Sequence, residues 1–298
     1  MSKFLVVSLI SVGMIAISCT DSNPTSSLNY NPKDVSIQSI NPYEWVGIAH
    51  NLGLDYYRTN LTWIPLSQGN WVDQSFIDSS LAMSSYWYDS VFDDYWPGRP
   101  SANTDLIGNT VLNGMFARIH NMDSLTARAH QIFDTLTPYA ACSQKSVDYI
   151  KRMVAVAKGA TSDTSWTVDR LLDSIAAIEC DILADSWGSG DMAARCAIAI
   201  FKHSGNYWAS EYHEMRGSGT GNPWNSSKGN DGHVSVSDQT KKGIKTIAEV
   251  CTDVVVGCAV FGSITGGTGG VGVAGGAWAG VKAGVSASGA VSLILGWW

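Results

Sequence analysis

Residues 166–185 read "WTVDRLLDSIAAIECDILAD". Val168, Leu171, Leu172, Ile175, Ile178 and Ile182 recur at three- and four-residue steps, while Asp169, Arg170, Asp173 and Asp181 fall mainly elsewhere. This is the period of an α-helix with one apolar face, not the period of two of a half-buried strand. Just beyond it, Asp191 can cap "MAARCAIAIFKHS". That second helix is apolar nearly all round, with Arg195 and Lys202 on one narrow strip. A helix of this kind is covered on most sides, so it is expected at the centre of the fold.

Working back from there, residues 144–158 predict another helix, with Val147, Ile150, Val154 and Ala157 inward. Asp123 can cap a helix striped by Leu125, Ala129, Ile132, Phe133 and Leu136, with His130 and Asp134 as a surface pair. A less regular helix covers about 108–120, and Asp73 can cap one running to about Tyr95. Asn41-Pro42-Tyr43-Glu44 predicts a helix start: Asn as cap, Pro in the first turn, Glu completing a capping box. Trp45, Ile48, Ala49 and Leu52 follow at helical spacing, and Gly53 is the predicted stop. A short helix is expected through "NYWASEYHEM". No adjacent alternating strands and no repeat of 20–50 residues occur. The fold class expected over 41–214 is an all-α multi-helix bundle.

The chain has 298 residues, 45% hydrophobic and 15% charged, with net charge −7. It carries no long basic run, which excludes nucleic acid as an expected partner. Four lysines against two acids leave residues 239–298 at +2, so the rest carries −9. Twelve tryptophans are expected mainly in the helical core.

Residues 1–18, "MSKFLVVSLISVGMIAIS", put Lys3 before an apolar run that is too short to span a bilayer. Ser18 then precedes Cys19, and the pattern resembles a bacterial lipoprotein signal with Cys19 as the lipidated residue. An ordinary secretory signal is the alternative. Residues 19–40 read as a disordered polar tether, and Asp21 resembles the acid that follows the cysteine in surface-directed lipoproteins of Bacteroidota. The expected location is the bacterial cell envelope, as an outer-membrane lipoprotein that can face outward, with the membrane as partner through Cys19. Five cysteines remain after Cys19, an odd number that cannot all pair internally.

Residues 215–238 are rich in Gly, Ser, Asn and Asp and predict a flexible linker. The remainder, 239–298, is the glycine-rich hydrophobic tail. Gly262, Gly266 and Gly270 are spaced by four, as are Gly272, Gly276, Gly280 and Gly284. Such spacing leaves a bare helix face on which another backbone can lie. With "TGGTGG" as a turn, the tail reads as a glycine-zipper helical hairpin of arms near 240–264 and 271–295. Lys245, Glu249 and Asp253 stripe the first arm with charge, and Lys282 interrupts the second. Insertion in lipid is therefore marginal, and glycine makes the arms poor helices in water. The tail needs a cover: the body, a second copy through self-association, or lipid.

Familiar catalytic and nucleotide motifs are absent from the sequence. Glu211, His213 and Glu214 read as a solvated helix end. His50, Asn51 and Asp55 read as a helix terminus, a turn and a cap, and His203 as a second helix-terminal histidine. No cofactor, metal or catalytic residue is expected.

"NPYEWVGIAHNLGLDYY", "AIAIFKHSGNYW" and the glycine-rich end resemble a group of uncharacterised Bacteroidota exported proteins with an HNxGLD-like element and a Gly/Ala-rich tail. The resemblance spans most of the mature chain and implies no activity. The expectation is a lipid-anchored envelope protein with a binding or structural role; an enzyme without a familiar motif is a further reading. The alternative is a membrane-active protein resembling glycine-zipper bacteriocins or pore-forming toxins.

Overall fold

The computed structural model describes residues 41–60, 74–88, 131, 143–163, 165–187, 193–217, 253, 280–282 and 284–289. Five helices are bounded: α1 (Glu44–Thr59), α2 (Gln74–Tyr86), α3 (Gln144–Ser162), α4 (Val168–Ala184) and α5 (Ala193–Gly217). Residues 280–282 and 284–289 are helical as well, and no strand occurs among the described residues. The fold is all-α. The helix expected over 108–120 and most of the one after Asp123, including His130 and Asp134, lie outside the described residues.

α4 follows its sequence pattern closely. Val168, Leu171, Ile175, Ile178 and Ile182 are buried, and the Thr167 hydroxyl accepts the Arg170 amide at 3.1 Å as N-cap. α3 begins on Ser143, which accepts the Ser146 amide at 3.2 Å. It buries Ile150, Met153, Val154, Ala157 and Ala160. Arg152–Asp181 and Lys145–Asp185 pairs lace α3 to α4 on the outside. Such exposed pairs contribute little stability.

α5 is the central helix. It packs against α1, α3 and α4, and Ala193, Ala194, Cys196, Ala197, Ile198, Ala199, Ile200 and Phe201 are all buried. It does not end near His203. The helix runs unbroken through Ser204, Gly205 and Asn206, so the separate helix expected in "NYWASEYHEM" is its second half. Gly205 lies where α5 passes close to α4, since a Cβ there would meet Ile175 at 3.0 Å and Leu172 at 3.4 Å, and tertiary packing overrides the weak helix preference of glycine.

α1 also departs from its expected limits. Asn41 does not cap the first helical turn. Its side-chain oxygen accepts the Tyr43 amide at 3.1 Å, two residues on, and its amide donates to the Arg195 carbonyl at 3.0 Å. The Glu44 carboxylate is drawn across to α5 instead of back to the cap. Gly53 does not stop the helix, which continues to Thr59. A methyl group there would come within 2.7 Å of the Tyr88 hydroxyl and 2.8 Å of Val285. Gly53 is a close-approach point, and so is Gly47, where α1 meets the Ala199 backbone.

The helical residues at 280–289 are in the core: Val281, Lys282, Val285, Ser286, Ala287 and Ser288 are each at most 6% exposed. Among the described residues no helix is long and apolar enough to cross a membrane.

Candidate functional site

Two polar constellations stand out against this apolar packing. The first lies at the junction of α1, α4 and α5. Lys202 reaches Glu44 at 2.5 Å and Glu179 at 2.7 Å, and the ring of His203 lies 2.6 Å from the same Glu44 oxygen. The group is half-buried. Burial alone raises the Glu44 carboxyl, but its bonds to His203 and Lys202 hold it below the usual range. For Lys202, burial works toward a lower pKa; the two carboxylates outweigh it and the ammonium is held above its usual value. His203 is therefore no helix-terminal histidine. It lies inside α5, and its partner is the first residue of α1.

The second constellation is sealed. His50 and Asp253 are both fully buried, with His50 Nε2 and Asp253 Oδ2 3.5 Å apart. The Ser204 hydroxyl donates to the same Asp253 oxygen, and the Trp208 ring N–H approaches it at 3.4 Å. The Ser288 hydroxyl faces this carboxylate too. On the other side of the imidazole, Nδ1 lies 3.1 Å from the Asn51 side-chain oxygen, and the Asn51 amide donates to the His203 carbonyl at 3.0 Å. Gly284 closes the pocket: a Cβ there would be 3.3 Å from the His50 ring. Burial pushes His50 down to about 4 and Asp253 up to about 7. His50 thus sits mid-helix in the core and does not end α1.

A serine-based seam continues from this pocket. The Tyr57 and Ser80 hydroxyls are 2.6 Å apart, Ser80 donates to the Ser286 carbonyl at 3.4 Å, and the Ser84 and Ser286 hydroxyls are 2.7 Å apart. Gly289 lies against the Tyr57 ring so closely that no Cβ fits. The seam joins α1, α2 and the helical residues at 280–289.

Serine, histidine and aspartate meet here, but in the wrong order for nucleophilic catalysis. A catalytic triad places histidine between serine and aspartate so that it can take the serine proton. Here Asp253 lies between Ser204 and His50, and all three side chains are shut off from solvent. The arrangement holds elements together. Among the described residues no group of three His, Cys, Asp or Glu side chains is placed to hold a metal ion.

Of the glycines singled out in the sequence, Gly280 is buried and Gly284 packs on His50. Gly262, Gly266, Gly270, Gly272, Gly276 and Cys19 lie outside the described residues, as does the turn of the expected hairpin. Glu211, His213 and Glu214 belong to α5, with their side chains outside the described set. Asp55, expected as a cap, is inside α1 and accepts the Tyr207 hydroxyl at 3.1 Å. By spacing alone Asp253 belongs to a charged stripe with Lys245 and Glu249. Its signal was its place in "CTDVVVGC", a lone acid in an apolar run, which marks a buried group with dedicated partners. Comparison of the chain with protein-family models, with curated proteins and with solved structures returns no match.

Proposed function

We propose that this chain is an exported, lipid-anchored helical protein of the bacterial cell envelope, tethered through Cys19, with a binding or structural role. The observation that supports a structural role is the sealed His50–Asp253–Ser204 group, whose polar atoms serve packing between elements. Burial of Val281, Val285 and Ala287 supports a C-terminal segment covered by the protein's own helices, in preference to the membrane-active alternative. Cys180 is disulfide-bonded, which suits an oxidising compartment outside the cytoplasm.

Radiolabelled fatty acid supplied to cells making the full chain tests the anchor. Label is expected on the intact protein and absent from a Cys19→Ala variant; an unlabelled parent removes the lipoprotein reading. Flotation of the unlipidated chain, begun after Cys19, with anionic vesicles tests the alternative. The protein is expected to stay at the bottom of the gradient, and flotation puts the membrane-active reading first.

A further inference from the structure

We infer that His50 and Asp253 form a one-proton clasp: a single proton, carried by Asp253 and offered to Nε2 of His50, holds Asp253 onto α1 and α5. The inference is independent of how the chain is anchored. It rests first on counting donors and acceptors. The Asn51 amide is committed to the His203 carbonyl, so its side-chain oxygen faces His50 and can only accept. Nδ1 of His50 must therefore carry the ring hydrogen, which leaves Nε2 as a bare lone pair. That lone pair looks onto Asp253 Oδ2 across 3.5 Å, and among the described residues Nε2 has no hydrogen-bond partner. Two acceptors face one another in a pocket that water does not reach. Such a contact is repulsive unless one proton lies between them.

The groups around the pair do not supply that proton. On α1 they are Asn51 and, four residues earlier, the Gly47 backbone. On α5 they are His203, Ser204 and Trp208, and His203 is already engaged by Glu44. Tyr88, two residues past α2, reaches the Ala49 carbonyl and Gly53. The C-terminal residues bring Gly284 against the ring and the Ser288 hydroxyl against the carboxylate. Ser204 and Trp208 donate to Oδ2 and favour the carboxylate, but burial of both side chains outweighs them and disfavours a separated ion pair, so the proton resides on the carboxyl group and the ring stays neutral.

Burial has opposite consequences for the two partners. In the fold His50 titrates near 4 against an ordinary 6.5, so it stays neutral where the unfolded chain is already protonated. Taken alone, it weakens the fold as pH drops from 6.5 to 4. Asp253 titrates near 7 against an ordinary 3.8, so the fold keeps a proton that the unfolded chain has lost. Taken alone, it strengthens the fold as pH drops from 7 to 3.8. Between about 4 and 6.5 the folded chain holds one proton, on Asp253, and the unfolded chain holds one, on His50. The counts match, so the pair adds no pH dependence of its own. The clasp is built to be indifferent to acidification.

Chemical unfolding of the full chain at pH 4, 5, 6 and 7 tests this with Asp253→Asn and His50→Gln, each read as a difference from the parent. As pH falls, the relative unfolding constant of Asp253→Asn is expected to rise by about tenfold per unit, and that of His50→Gln to fall by a similar factor. Slopes of the same sign, or slopes parallel to the parent, overturn the inference. If a variant does not fold, the His50 imidazole resonances of the unaltered chain decide. They are expected to stay at the neutral-ring position from pH 7 to 5, and a midpoint near 6.5 refutes the clasp.

Discussion

Gly47 lets α1 lie against the backbone of α5, because any Cβ there would run into the Ala199 carbonyl and the His203 ring. A backbone atom cannot swing away, so Gly47→Ala forces the two helices apart. The expected cost is about 3 kcal/mol, read as a fall in Tm of about 6–12 °C. Gly205→Ala is the contrasting change. Its Cβ meets only the tips of Ile175 and Leu172, at 3.0 and 3.4 Å, and alanine improves the helix by up to about 1 kcal/mol. Its Tm is expected to stay within about 3 °C of the parent. At this scale the sequence was partly misleading. Gly53 and His50 have the composition of a helix end, and only the arrival of Tyr88 and Val285 explains why a glycine is needed mid-helix. The hint was present: the apolar period of α1 runs on to Tyr57 beyond Gly53, and a glycine inside a continuing period generally marks close packing.

Among the elements, α4 was legible almost residue for residue, since an unbroken stripe of branched residues and a threonine cap act locally. Thr167→Ala removes an acceptor from the first turn and is expected to cost about 1 kcal/mol, or roughly 2–4 °C in Tm; Thr167→Gly is expected to cost only a few tenths. The continuity of α5 was not legible. Serine, glycine and asparagine in succession are weak helix formers, and a sequence reading breaks the helix at Ser204. What holds it is tertiary: Gly205 against α4, Ser204 bonded to Asp253, and Trp208 buried beside it. The charged junction of Glu44, Lys202, His203 and Glu179 was hidden for the same reason. Its members are separated by more than 130 positions between α1 and the other two helices, and no local spacing connects them.

For the molecule as a whole, the glycine-rich composition of residues 239–298 showed that this part needs a cover, and the all-α class followed from periodicity. Which surface does the covering was not legible, because a bare glycine face states only that some backbone approaches it. The described part of the answer is internal: Gly284 on His50, Gly289 on Tyr57, and Ser286 on Ser80 and Ser84. Removing residues 239–298 therefore uncovers the polar core of α1 and α2. The shortened chain is expected to bind a hydrophobic dye and to lose its sharp thermal transition. A cooperative transition at the parent Tm would show that the body stands without them.

The seam between Ser80, Ser84 and Ser286 joins positions more than 200 residues apart. During synthesis α1 and α2 therefore emerge long before the surface that closes over them, and loop closure on this scale is slow. A nascent chain with its keystone still unmade cannot lock early. Under the export proposed above, that late closure would keep the chain pliable until its passage through the channel is nearly done.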